Sequence, residues 1–226
     1  MNSIVEYQLQ GKIATITMDD EKANALSPRM TEALNAALDQ AKEDEAVVIM
    51  TGRTGRFSAG FDLSVMQQGP KATNDMVKSG ALLAERMLSF PTPIVIACNG
   101  HALAMGALLL ASVDHRIGSE GNFKIGLNEV AIGMTLPWFG IEIARARLST
   151  TYFGRSAVNA QIYDPSGAVT AGFLDQVVPE DGLMDAALQA AEAFTNLDLQ
   201  AHYATKMRVR ADSLAAVRAA IEKEYS

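Results

Sequence analysis

The chain has 226 residues, 49% of them hydrophobic and 20% charged, the balance of a globular protein with one large core. A formal net charge of −7 argues against nucleic acid as the main partner, and a single cysteine, Cys98, excludes an intrachain disulfide and fits a reducing compartment. MNSIVEYQLQGK carries no signal or transit pattern, the longest apolar stretch (about 102–113) is too short for a bilayer, and EKEYS is no known address, so a cytoplasmic location is expected.

Ile4 to Leu9 and Ile13 to Met18 read as strands turning at Gly11. Ser27-Pro28 starts a helix, with Ser27 as N-cap and Met30, Ala33, Leu34, Ala37, Leu38 and Ala41 at helical spacing. Ala46 to Thr51 is apolar on both faces and predicts a central parallel strand. Gly52 to Asp62 follows as a loop, in which Asp62 suits a helix cap. After the break at Gly69-Pro70, a helix is expected over Thr73 to Ser89, then a strand over Ile94 to Cys98 introduced by Pro91 and Pro93.

A second glycine-bearing loop, Asn99 to Gly106, leads into an all-apolar helix from Met105 to Ala111 that must be fully buried. Short strands are expected at His115 to Ile117 and Asn122 to Ile125. Helices follow around Ile141 to Arg147, near Ser156 to Tyr163, and from Ser166 to Gly172. Phe173 to Val178 reads as a late strand. Leu183, Met184, Ala187, Leu188, Ala191 and Phe194 form an amphipathic stripe, and helices fill Leu199 to Arg210 and Leu214 to Tyr225.

Alternating strands and helices predict an α/β fold. Its two strand-loop-helix corners, at Ser58-Ala59-Gly60-Phe61-Asp62 and Asn99 to Gly106, can aim two backbone N–H groups at one point, the arrangement that holds an oxyanion.

The strings FSAGFDL after VVIMTG, PTPIVIACNGHALAMG, GLNEVAIGM, ANALS and TAGFLDQVVP, in this order along about four fifths of the chain apart from the early ANALS, resemble the crotonase family, the enoyl-CoA hydratases and isomerases. The resemblance implies a spiral of repeated β-β-α units over residues 1–181 bearing an acyl-CoA site. It also implies a C-terminal helical region, residues 182–226, for subunit packing in a homotrimer or a hexamer made of two trimers. It assigns the oxyanion donors to the backbone N–H groups of Phe61 and Met105. It places Ala23, Ala25 and Leu26 near the adenine end of coenzyme A and Ala59 and Gly60 beside the pantetheine. Asp62, Leu63, Leu108 and Trp138 then belong to the acyl side, where Phe139 is a further candidate.

Enoyl-CoA hydratases use two glutamates to activate water. The first would fall at Leu108, inside the apolar run Ala107 to Ala111; the second matches Glu129. One carboxylate suits a proton shuttle instead. It takes a proton from C2 of a 3-enoyl-CoA and returns it at C4, as in the Δ3,Δ2-enoyl-CoA isomerases, and a raised Glu129 pKa would assist. Hydration, dehydration or thioester hydrolysis remain alternatives, as does a CoA-binding oligomer without catalysis. No cofactor is expected, coenzyme A being part of the substrate, and no metal site. Lys22, Arg53 and Arg56 are available for phosphates but read more simply as surface charges. Asp114 reads as structural, and His101, His115 and His202 have no partner motif.

Overall fold

The structure, a computed structural model, describes residues 3–225. The readings of the extreme chain ends rest partly on residues 1, 2 and 226, outside that range.

Strands β1 (Val5–Gln10) and β2 (Ile13–Met18) form an antiparallel hairpin, and β2 then pairs in parallel with β3 (Val47–Thr51). With β5 (Ile94–Cys98), β7 (His115–Ser119) and β9 (Gln176–Val178) they make a six-stranded sheet in the order β1-β2-β3-β5-β7-β9. Three short strands, β4 (Gly55–Ser58), β6 (Gly100–Leu103) and β8 (Ile125–Gly126), form a second, parallel sheet. The chain therefore alternates between sheets: β3-β4, then β5-β6, then β7-β8, each pair followed by helix. This is a spiral of β-β-α turns rather than an ordinary doubly wound sheet.

The apolar character of β3 and β5 follows from burial on both faces. Val48, Met50, Ile94, Ile96 and Cys98 pack into the main core, while Val47, Ile49, Val95 and Ala97 face a second cluster with Ile117, Leu183, Ala187 and Ala191. Successive side chains of a strand point to opposite faces, so one helix, α8 (Leu183–Thr195), must cover the outer row.

Several helix starts obey their local chemistry. Ser27 caps α1 (Pro28–Glu43), its hydroxyl accepting from the Met30 N–H at 3.2 Å. Asp62 caps the four-residue helix α2 (Leu63–Met66) through the Ser64 N–H. Pro70 opens α3 (Pro70–Leu88), one turn earlier than the spacing predicts, because proline suits the first helical position. α4 (Met105–Ala111) is buried throughout.

Other boundaries shift. α5 (Trp138–Arg147) begins three residues before the expected Ile141, directly after Pro137. The helix expected near Ser156 to Tyr163 lies instead at α6 (Thr150–Ala157); the following backbone turns left-handed at Ala160 (φ 50°), and Tyr163 bridges to Ile125. α7 (Pro165–Ala171) is capped by Asp164 and ended by Gly172. The late strand is confined to β9, since Phe173 and Leu174 turn into the core. Asn122 to Lys124 is not strand either: only Ile125 and Gly126 pair with β6.

α9 (Leu199–Val209) and α10 (Ala211–Tyr225) close the chain. Neither α8 nor α10 stands apart from the core of its own chain, because α8 lies on β3, β5 and β7 while α10 lies on α5 and α3. Asp114 ties α9 down: one carboxylate oxygen receives Lys206 Nζ at 2.8 Å and the Ile94 N–H at 2.8 Å, and the other receives Arg210 at 3.1 Å. Lys206, itself buried, also donates to the Phe90 and Thr92 carbonyls. Removing one partner of such a buried pair leaves the other charge uncompensated. Asp114→Ala is expected to lower stability by about 3 kcal/mol or more, read as a reduced midpoint in urea unfolding.

Candidate active site

The two glycine corners meet. The loop Ala23–Leu26 runs beside the first, with Leu26 N–H donating to the Gly60 carbonyl at 2.8 Å and Ala59 N–H to the Ala23 carbonyl at 3.0 Å. Asn24 anchors that loop: it is fully buried, and its amide donates to the carbonyls of Met18, Arg56 and Phe57. The Leu26 pairing uses the Gly60 carbonyl and the Asp62 N–H, so the Phe61 N–H between them faces the other way.

The second corner packs directly against Gly60. A Cβ on Gly60 (φ 92°) would sit 2.7 Å from Ala104 Cβ and 3.2 Å from Met105 N, so only glycine permits this approach. Ala104 holds φ 51° and ψ −122°, a conformation that non-glycine residues rarely adopt. Its own N–H donates to the Gly126 carbonyl at 3.0 Å. Met105 is the first residue of α4, where helical N–H groups lack internal partners. Among the described residues, neither the Phe61 nor the Met105 N–H donates to a protein acceptor.

Beside the corners is a cavity of about 390 Å³ whose inner lining includes Ala59, Phe61, Ala104, Leu108 and Glu129. Phe61 can lie there because α3 carries glycine opposite it: a Cβ on Gly80 would fall 2.5 Å from the Phe61 ring. Glu129 sits just before a 3-10 turn, Val130–Ile132, that ends on left-handed Gly133. Its backbone carbonyl accepts from the Ile132 and Met134 N–H groups. Its carboxyl is buried, and Oε2 has no hydrogen-bond partner among the described residues; the neighbouring Asn128 Oδ1, also on the cavity, has none either. Burial pushes the Glu129 carboxyl up to about 7 from an ordinary 4.5, with no cation beside it to oppose the shift. The site thus combines two corner N–H groups that have no protein acceptor among the described residues with a buried carboxyl whose pKa is raised to about 7.

The sequence pattern of enoyl-CoA hydratases/isomerases matches residues 8–225. The chain belongs to the enoyl-CoA hydratase/isomerase family. A crystal structure of a family member from Pseudomonas syringae has a TM-score of 0.97 at 50% identity, covering 98% of this chain and 96% of that one. An apo enoyl-CoA isomerase from Mycobacterium tuberculosis has a TM-score of 0.94 at 43% identity, covering 98% and 97%. A probable enoyl-CoA hydratase of Bacillus subtilis is 37% identical over 131 residues, 56% of this chain, and the match spans half of that relative's length.

Among enoyl-CoA hydratase/isomerase positions read from sequence, Glu129, Phe61, Ala59, Leu63 and Leu108 come together on the cavity. Met105 is fully buried and does not line the cavity, which Ala104 before it does, while the side chain of Leu26 is core. Ala23, Ala25 and Gly60 do not line the cavity: the Ala23 carbonyl accepts from the Ala59 N–H, that of Ala25 from the Ser27 N–H, and Gly60 packs against Ala104, while Asp62 is occupied as a helix cap.

Trp138 is a correction: it does not line the cavity. As the first residue of α5 its ring points outward, 48% exposed, with Lys223 Nζ 4.1 Å from its centroid, and Phe139 beside it is core. His101 does not face the cavity carboxyl; its Nδ1 accepts from the Lys124 N–H, and burial followed by Arg56 and Lys124 pulls its pKa down. Arg53 is engaged with Asp19 and the Lys22 carbonyl.

Sequence reasoning missed the walls supplied from a distance: Met66, Asn74 and Val77 from α2 and α3, Met134 and Pro137 beyond Glu129, and Glu224 and Tyr225 from α10. The helical stripe on α3 could have flagged Val77; nothing local marks Tyr225.

The raised Glu129 pKa has a stability consequence. Between pH 4.5 and about 7 the unfolded chain releases this proton while the folded chain retains it, so stability present below pH 4.5 is lost as pH rises through about 7. Glu129→Gln removes that loss. Its melting temperature relative to the native protein is expected to rise from pH 4 to pH 8, by an amount equivalent to roughly 3 kcal/mol, in paired thermal melts.

Proposed function

We propose that this chain is a Δ3,Δ2-enoyl-CoA isomerase, moving the double bond of a 3-enoyl-CoA to the 2-position. The observation that carries the reading is Glu129: a buried carboxyl without a counter-charge, pushed up to about 7, on the same cavity as the Phe61–Ala104 corner. The thioester oxygen would accept from the Phe61 and Met105 N–H groups, and these would stabilise the charge that develops when a C2 proton leaves. Glu129 takes that proton and returns it to C4. A pKa near the working pH lets one group act first as base and then as acid. Leu108, 1% exposed and on the cavity wall, keeps the site apolar where a hydratase of this family would carry a second glutamate.

The second reading, water addition to a 2-enoyl-CoA, is favoured by one observation: Glu224 also reaches the cavity. That carboxylate is exposed, however, and one of its oxygens accepts from the Trp138 N–H at 2.9 Å. It is positioned by the start of α5. The names of similar proteins include both isomerase and hydratase, so they do not separate the two.

A place in fatty-acid β-oxidation, a cytoplasmic location and a trimeric or hexameric assembly belong to the same proposal. No helix among the described residues is long and apolar enough to cross a membrane. No group of three or more His, Cys, Asp or Glu there could hold a metal ion, and the proposed proton shuttle calls for no cofactor beyond the coenzyme A carried by the substrate.

Purified protein is expected to convert 3-hexenoyl-CoA to the 2-enoyl isomer. Its kcat/KM should rise with pH to a plateau above about 7 as Glu129 ionises. Glu129→Gln is expected to lose on the order of 10³-fold or more in kcat/KM. Loss of crotonyl-CoA absorbance through hydration, with no isomerisation of 3-hexenoyl-CoA, would select the second reading instead.

A further inference from the structure

The cavity that holds Glu129 is closed on one side by the last turn of α10. Glu224 and Tyr225 line it there together with Asn74 of α3. The same three residues also line a separate depression of about 370 Å³, whose remaining wall is Lys71, Asp75 and Lys78. Asn74, Glu224 and Tyr225 are therefore the partition between an apolar chamber and a charged one.

This turn is fastened from two sides. Lys78 Nζ donates to the Tyr225 carbonyl at 2.9 Å, and Glu224 accepts from the Trp138 N–H on α5. Lys223 lies over the Trp138 ring, so three consecutive residues of α10 each hold a neighbouring helix. Burial, and the Glu224 carboxylate beside it, push the Tyr225 phenol up, which keeps it a neutral wall.

The direction of the chamber is set by α3. Gly80 lies under Phe61 at the corner, and Asn74 lies six residues earlier, which is about 9 Å of helix. Val77 lines the interval, with Met66 and Leu63 of α2 also on the wall. A hydrocarbon chain leaving the corner along α3 would pass Val77, Leu63 and Met66 before it reaches Thr73 and the partition, beyond which it would meet the Lys71–Asp75 ion pair and Lys78.

We propose that Tyr225 is the specificity-determining residue that ends the acyl subsite and fixes the longest chain it accommodates. The proposal rests on the acyl-CoA reading above but not on the reaction catalysed.

Calorimetric titration with saturated acyl-CoAs from hexanoyl to hexadecanoyl tests it on the full chain. Each methylene that enters apolar surface tightens binding about fourfold. In the native protein the gain should stop at one chain length. In Tyr225→Ala the stop should move to longer chains, with about fourfold per methylene recovered beyond the native limit. In Tyr225→Trp it should move to shorter ones, and this variant decides the matter should the alanine variant not fold. A stop at the same length in every variant that folds, or a uniform loss of affinity at every length, overturns the proposal. Saturated chains cannot isomerise, so failure of 3-hexenoyl-CoA turnover leaves this test standing. Turnover with coincident stops would overturn the chain-length role alone.

Discussion

The approach of Gly60 to the Ala104–Met105 backbone is the contact on which the site depends. It brings the ends of two separate β-β-α turns to within van der Waals distance, which a side chain at residue 60 would prevent. The contact is held from outside by the Asn24 loop, which pairs with the first corner, and by the Gly126 carbonyl, which accepts from Ala104. The large parallel sheet sets the spacing beneath it: β3 and β5 are adjacent and in register, so the segments leaving them emerge side by side. Burial of both faces of these strands, by the main core and by α8, makes the platform stiff.

Against that platform the carboxyl of Glu129 is delivered by a different kind of element. A 3-10 turn closed by a left-handed glycine places it on the cavity with little flanking secondary structure. Its pKa comes from the surroundings rather than from a partner. No cation stands beside it, so desolvation outweighs the one opposing contribution, a hydrogen bond from its own backbone N–H. In the proposed reaction this gives the apolar walls, Leu108 among them, a part in the chemistry as well as in the packing, since their burial of the carboxyl raises its pKa to about 7.

Much of this was legible in the sequence because it is local. The two doubly apolar strands, the Ser27 and Asp62 caps, the buried run Met105 to Ala111 and the glycine corners each have a signal within a few residues. The short strands β4 and β6 were not legible: GRFS and GHAL have too few residues for alternation to be seen, and pairing with each other makes them strands. The displaced α6 shows the opposite failure. The sequence reads as a helix near 156–163, but the left-handed turn at Ala160 and the pairing of Tyr163 with Ile125 belong to tertiary structure. The family resemblance puts Trp138 on the acyl side, yet its helix position turns it outward. The cavity walls from α3 and α10 join residues more than a hundred positions apart, a distance over which periodicity carries no information.

The backbone of Ala104 has a consequence for how the site meets charge. An alanine at φ 51° and ψ −122° remains there only because its neighbours outweigh a conformational penalty of roughly 1–3 kcal/mol. Relaxation would need the Gly126 hydrogen bond and the Gly60 contact to give way together. The amide that follows it is thereby held in one orientation by the fold itself. In the proposed reaction, where negative charge would develop on an oxygen in front of it, this dipole would have little left to rearrange, the reorganisation that bulk water undergoes having been met during folding.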